Sequence, residues 1–177
     1  GQRSGVARYA GSNISPAPSP NGSKVAMILS KSGTVDVWVS NLDGSGVKQL
    51  TKSRDDESSP CWSPDGQWIA FTITTRDSIQ LWVGSVKNAT ARQFADLQIN
   101  GCYGAPIQWL PDSSGFLVQS IVRDRGPAPV KPLTPSGPTI EESSGNSGPV
   151  RTYQDLLQNS HDEDLFEYYT SSQLMRA

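Results

Sequence analysis

Ser59-Pro60-Cys61-Trp62-Ser63-Pro64-Asp65-Gly66-Gln67-Trp68-Ile69-Ala70-Phe71 decides the architecture of this chain. Its centre is turn chemistry. Proline presets φ and removes a donor, aspartate bonds its own backbone, and glycine accepts φ > 0. Strand-forming residues lie on both sides of the turn, so the stretch predicts a β-hairpin. A copy stands upstream, Ser15-Pro16-Ala17-Pro18-Ser19-Pro20-Asn21-Gly22-Ser23-Lys24-Val25-Ala26-Met27. A more distant copy stands downstream, Ala105-Pro106-Ile107-Gln108-Trp109-Leu110-Pro111-Asp112-Ser113-Ser114-Gly115-Phe116-Leu117.

The copies share a register. Pro20 to Pro64, Gly22 to Gly66, Trp38 to Trp82 and Leu50 to Phe94 are each 44 residues apart, and Pro64 to Pro111 and Trp62 to Trp109 are each 47. A period of about 40–45 residues with four strands per unit is the signature of a propeller blade. The expected fold is all-β, with blades of four antiparallel strands forming a partial propeller of about two and a half blades. The expected blades cover residues 13–54 and 55–98, after a lead-in at 1–12. An incomplete third blade covers 99–177.

Within each unit the strands differ. Val25-Ala26-Met27-Ile28-Leu29 and Trp68-Ile69-Ala70-Phe71 are apolar runs suited to burial on both faces. Val35-Asp36-Val37-Trp38-Val39 alternates, which places Val35, Val37 and Val39 on one face and Asp36 and Trp38 on the other. Trp38 and Trp82 are expected to pack between blades. Val47-Lys48-Gln49-Leu50-Thr51 and Ala91-Arg92-Gln93-Phe94 suit polar outer strands. The loop Arg54-Asp55-Asp56-Glu57-Ser58 carries three acids and is expected to be a solvated connection, since calcium loops need alternating ligands around an internal glycine.

The third unit is interrupted. Its hairpin ends in Phe116–Val122, and residues 123–150 form a Pro/Gly-rich insertion. Such sequences favour extended backbone and do not build a packed core alone. Thr152 would cap a short helix through Leu157. Asp162-Glu163-Asp164 would open a second, completing a helical segment over 152–169. Ser171-Ser172-Gln173-Leu174-Met175 matches Ser78-Ile79-Gln80-Leu81-Trp82 and is expected to return as the blade's third strand.

Composition narrows the function. The chain has 177 residues, a net charge of −2 and only 18% charged residues. That argues against a nucleic-acid surface, which needs a basic stripe. No apolar run approaches the roughly 18 residues of a membrane span, and Gly1-Gln2-Arg3-Ser4 shows no secretory signal. Cys61 and Cys102 allow one disulfide, but two separate buried or half-buried thiols fit their positions better. Without CxxC or other zinc spacing, no metal site is expected. No glycine-rich phosphate loop is present, so no cofactor is expected. Asn13, Asn21 and Asn88 begin glycosylation sequons.

The repeats resemble those of TolB-like propellers, through Ser-Pro-x-x-Ser-Pro-Asn/Asp-Gly and Asn41-Leu42-Asp43-Gly44-Ser45-Gly46…Leu50-Thr51. Residues from about 60 to 177 resemble the propeller of prolyl oligopeptidase family serine peptidases, the glutamyl endopeptidase type in particular. Trp109-Leu110-Pro111-Asp112-Ser113, Arg125-Gly126-x-x-Pro129, Pro135-Ser136-Gly137-Pro138, Arg151-Thr152-Tyr153-Gln154-Asp155-Leu156-Leu157 and Asp164–Leu174 carry that resemblance. It implies a non-catalytic propeller that gates or binds peptides for an α/β-hydrolase domain, and a periplasmic or secreted protein. The alternative is a TolB-like protein-binding scaffold without an enzyme.

No catalytic residue transfers with the resemblance. A nucleophile elbow needs G-x-S-x-G, which Gly145-Asn146-Ser147-Gly148 does not supply. A triad needs a histidine, and His161, expected at the surface between the two short helices, is the only one. Arg123, Arg125 and Arg151 are conceivable receptors for a substrate carboxylate, with ordinary solvation or ion pairing as the simpler expectation. Closed propellers have about 4–8 blades. The expected partners are therefore a peptide or protein, and either further blades or the hydrolase domain.

Overall fold

The computed structural model describes residues 9–133, 157 and 159–177. These fall into two compact units, one running to Ile121 and including Ser172–Ala177, the other spanning Val122–Ser171.

The first unit is built from open antiparallel sheets. Strands β1 (Asn13–Pro18), β2 (Lys24–Leu29), β3 (Asp36–Asn41) and β4 (Lys48–Gln49) form the first sheet in sequence order. Strands β5 (Asp56–Trp62), β6 (Trp68–Thr74), β7 (Ile79–Ser85) and β8 (Thr90–Gln98) form the second in the same way. The third has β9 (Ile107–Trp109), β10 (Phe116–Ile121) and β11 (Ser172–Arg176), with β10 in the middle.

The repeated turns are superimposable in their bonding. Gly22 donates to the Ser19 carbonyl, Gly66 to Ser63 and Ser113 to Leu110, each at 2.9 Å. Gly22 and Gly66 adopt φ of 68° and 72°, and Ser113 holds 60° at the corresponding place. The side-chain oxygen of Asn21, Asp65 or Asp112 takes a backbone N–H two residues on, at 3.0 Å in every copy. The Ser-Pro pairs mark β-bulges. Ser15 and Ser59 have φ of 51° and 53°, and the register of β1 and β5 shifts there. A bulge leaves one residue unpaired, which suits a following proline with no N–H to offer.

The sheets stack through apolar clusters. Ala26, Ile28, Val37 and Val39 of the first sheet meet Trp62, Ile69, Phe71 and Ile73 of the second. Ala70, Leu81 and Val83 meet Phe116 and Val118 of the third. Trp82 packs against the first of these clusters. Trp38 lies instead on the opposite face of the first sheet with Met27 and Leu29, and Lys31 Nζ stands 5.5 Å from its ring. The alternation in β3 is real, but both of its faces are buried, Asp36 included.

The acidic stretch is corrected by the structure. Asp56, Glu57 and Ser58 belong to β5, not to a solvated loop, and Glu57 is only 2% exposed. Strand alternation sends Asp56 outward and Glu57 inward. No disulfide joins Cys61 and Cys102.

In the second unit, α1 (Ser160–Thr170) begins where the acidic run predicts. Asn159 caps it by accepting the Asp162 N–H at 3.1 Å, and Asp162 and Glu163 occupy the first turn. His161 therefore stands on a helix rather than between two. The expected helix capped by Thr152 lies outside the described residues. No helix among the described residues is long and apolar enough to cross a membrane.

Candidate functional site

The sequence places two carboxylates, Asp36 and Glu57, in the interior of the first unit, and the fold treats them differently. Asp36 is saturated. Its Oδ2 accepts from Ser32 Oγ at 2.8 Å, Thr34 Oγ1 at 2.6 Å and Gln49 Nε2 at 3.0 Å, and its Oδ1 accepts from the Ser53 backbone at 3.0 Å. Four donors around one carboxylate satisfy a charge that burial would otherwise penalise.

Glu57 is only half satisfied. The Val37 N–H, shared between two acceptors, reaches Thr51 Oγ1 and Glu57 Oε2 at 2.9 Å each. The Thr51 hydroxyl also donates to Oε2. Oε1 is buried with no hydrogen-bond partner. Burial pushes the Glu57 carboxyl up to about 7, against the lowering effect of Thr51 and Val37, and the nearby Asp36 charge adds to the rise. Glu57 thus exchanges its proton around neutral pH, where an ordinary glutamate is ionised.

Glu57 borders a cleft of about 350 Å³ between the first and second sheets. The segment after β4 contributes Leu50, Thr51, Lys52 and Ser53 to the lining, and the second sheet contributes Ile73, Gln80, Trp82 and Ala91. The Trp82 indole donates to Gln80 Oε1 at 3.1 Å. Lys52 and Asp55 are exposed at this cleft. Carboxyl, hydroxyl, amide and aromatic groups together suit recognition of a polar ligand. No group of three or more His, Cys, Asp or Glu that could hold a metal occurs among the described residues.

The residues singled out as carboxylate receptors lie elsewhere. Arg123 is exposed. Arg125 is engaged within the second unit: its Nη1 donates to the Tyr168 carbonyl at 2.9 Å, and its guanidinium lies 4.2 Å from the Tyr168 ring centre. Tyr168 returns a bond from its hydroxyl to the Gly126 carbonyl at 2.8 Å. Arg151 lies outside the described residues. Glu57 was hidden in a run of acids. The repeat places it 44 residues after Asn13, the first residue of β1, which marks it as a strand residue, but Asn13 is exposed and gives no sign of the burial.

Sheets of consecutively paired antiparallel strands, stacked face to face and repeating in sequence at a blade-length period, define the chain as part of a β-propeller. The TolB beta propeller domain model matches residues 1–128, and the chain belongs to that family. It is 45% identical over 83 residues, 46% of its length, to a probable chloroplastic glutamyl endopeptidase of Arabidopsis thaliana. It is 47% identical over 70 residues, 39% of its length, to the rice protein of the same description. These matches span 8% and 7% of the two relatives, so the chain corresponds to a small portion of each. The crystal structure of TolB from Acinetobacter baumannii aligns over 62% of this chain and 27% of its own, with a TM-score of 0.52 and 17% identity. That likeness concerns the fold.

Proposed function

We propose that this chain is part of the non-catalytic propeller of a prolyl-oligopeptidase-like serine peptidase, and that its blades gate or bind peptides on their way to a hydrolase domain. The observation that carries this reading is the 45% identity over 83 residues to a probable glutamyl endopeptidase. In such an arrangement residues 13–54 and 55–98 each act as one blade, and residues 99–177 supply a third with an inserted segment. A gate works by excluding bulk, so its removal raises cleavage of large substrates more than of small ones. The test is kinetic: in the native polypeptide carrying this segment, kcat/KM is compared for a short glutamyl peptide and a folded protein, with and without residues 13–98. Gating predicts strong preference for the short peptide, collapsing on deletion. Equal preference in both forms refutes it.

The family match over residues 1–128 favours a second reading, a TolB-like scaffold that binds protein without hydrolysis. The intact mass of the native polypeptide separates the two, because only the first requires a hydrolase domain in the same chain. We place the protein in the periplasm or outside the cell on its TolB likeness, whereas the plant relatives are described as chloroplastic. Fractionation of the native host decides between these compartments.

A further inference from the structure

The cleft beside Glu57 combines a carboxyl that lacks a donor with an aromatic wall. Among the described residues, the buried side-chain polar atoms without a hydrogen-bond partner are Glu57 Oε1 and Trp38 Nε1. Trp38 belongs to the other face of the first sheet. Glu57 is different in kind, because its unpartnered atom belongs to a group that becomes charged. Donors on the same carboxyl and in the cleft lining are already engaged: the Val37 N–H and the Thr51 hydroxyl serve Oε2, and the Trp82 indole serves Gln80. A buried polar atom left in this state destabilises the fold until a donor reaches it.

The charges around it are two carboxylates and one ammonium. Asp36 faces Glu57 from β3 and disfavours its ionisation. Asp55 stands in the cleft lining, and Lys52 is the cation in that lining. Lys52 and Asp55 offset one another, which leaves Glu57 as the uncompensated group. The volume of about 350 Å³ is at the lower end for ligand sites and suits a single side chain.

We propose that this cleft binds one organic cation, the ammonium or guanidinium end of a lysine- or arginine-like side chain, with its charge toward Glu57 and its stem against Trp82. A cation supplies the donors that Oε1 lacks, and Trp82 adds cation–π attraction. Oε1 is closed off from solvent, so entry requires the lining to shift. Binding also requires Glu57 to give up its proton, so the two events are linked. This inference goes beyond the gating role and requires no hydrolase.

The test is a titration of this 177-residue chain with N-acetyl-lysine methylamide, N-acetyl-arginine methylamide and the uncharged N-acetyl-norleucine methylamide, followed by calorimetry and tryptophan fluorescence. Saturable binding of a charged probe is expected, at least about tenfold tighter than norleucine, a difference of about 1.4 kcal/mol. The comparison of lysine with arginine shows which head group fits. Affinity should rise about tenfold from pH 6 to pH 8 as Glu57 ionises. Glu57→Gln should erase both the charge preference and the pH dependence. Asp55→Asn should weaken binding and Lys52→Ala strengthen it, and these two exposed positions serve even if the Glu57 variant folds poorly. Equal affinity for lysine and norleucine, or affinity unmoved by the Asp55 and Lys52 variants, overturns the proposal.

Discussion

The indole Nε1 of Trp62 donates to the carbonyl of Ala17 at 2.8 Å, tying the first strand of the second sheet to the first strand of the first sheet. Trp109 repeats the bond one unit later, to Cys61 at 3.2 Å. Ala17 and Cys61 are 44 residues apart, so the bond recurs at the blade period. Each tryptophan fills an apolar cluster with its ring and satisfies its polar edge on the preceding sheet, the usual requirement for burying an indole.

Trp62→Phe removes this bond while keeping an aromatic ring. The expected loss is about 1–2 kcal/mol, from an unpaired carbonyl and a small packing defect. In a chain of this length that lowers Tm by roughly 2–8 °C, measurable by circular dichroism. Trp109→Phe should behave alike. The double variant should depart from the sum of the two, because Trp109 bonds to the residue next to Trp62.

Glu57 makes stability depend on pH. Its folded pKa is about 7, against an ordinary value of 4.5. Between these values the folded form holds a proton that the unfolded form has lost, so stability falls as pH rises from 4.5 to 7 and is level above. The full effect is at most about 3 kcal/mol. Urea unfolding at pH 5 and pH 8 measures it. Glu57→Gln should flatten the difference and be the more stable protein at pH 8, since the amide carbonyl can take over the bonds from Val37 and Thr51.

Two glycines should respond differently to alanine. At Gly66, φ is 72° and an added Cβ meets only the Pro20 ring at 3.9 Å, so the cost of Gly66→Ala is conformational, about 1 kcal/mol. At Gly115 a Cβ would overlap the Ala177 carbonyl oxygen, a backbone atom rather than the end of a flexible side chain. Gly115→Ala should therefore break the paired bonds between Phe116 and Ala177, at 2.8 and 2.9 Å, and loosen β11. Hydrogen exchange at Phe116 and Ala177 distinguishes this local loss from the global one at Gly66.

The thiols should react unequally. Burial pushes the Cys61 thiol up to about 11, whereas Cys102 is exposed. The thiolate is the reactive form. Iodoacetamide at pH 8 should label Cys102 in the native protein and reach Cys61 only after unfolding. Peptide mass mapping checks it, and labelling of Cys61 first would contradict the burial.

Much of the fold was legible because its signals are local. Pro64-Asp65-Gly66 specifies its own turn, and the repetition of that turn gives the strand count. Even Ser113, where a glycine would be expected, keeps the geometry because Asp112 and Leu110 supply the same bonds. Glu57 was not legible in the same way. Asp55, Asp56 and Glu57 are chemically alike, and only the pairing of β5 with β6 decides which one turns inward. Arg125 shows the same limit, since its contact is with Tyr168, 43 positions further on.

The pairing of β10 with β11 joins Ile121 directly to Ser172, although Val122–Ser171 form a unit of their own. Closing so long a loop instead of a short hairpin costs only about 2 kcal/mol, because the entropy grows with the logarithm of length. The five registered pairs from Leu117–Arg176 to Ile121–Ser172 outlast that cost. This hairpin is therefore a natural port for foreign sequence. A reporter domain whose ends lie side by side could be exchanged for residues 122–171, turning a propeller edge into a sensor mount.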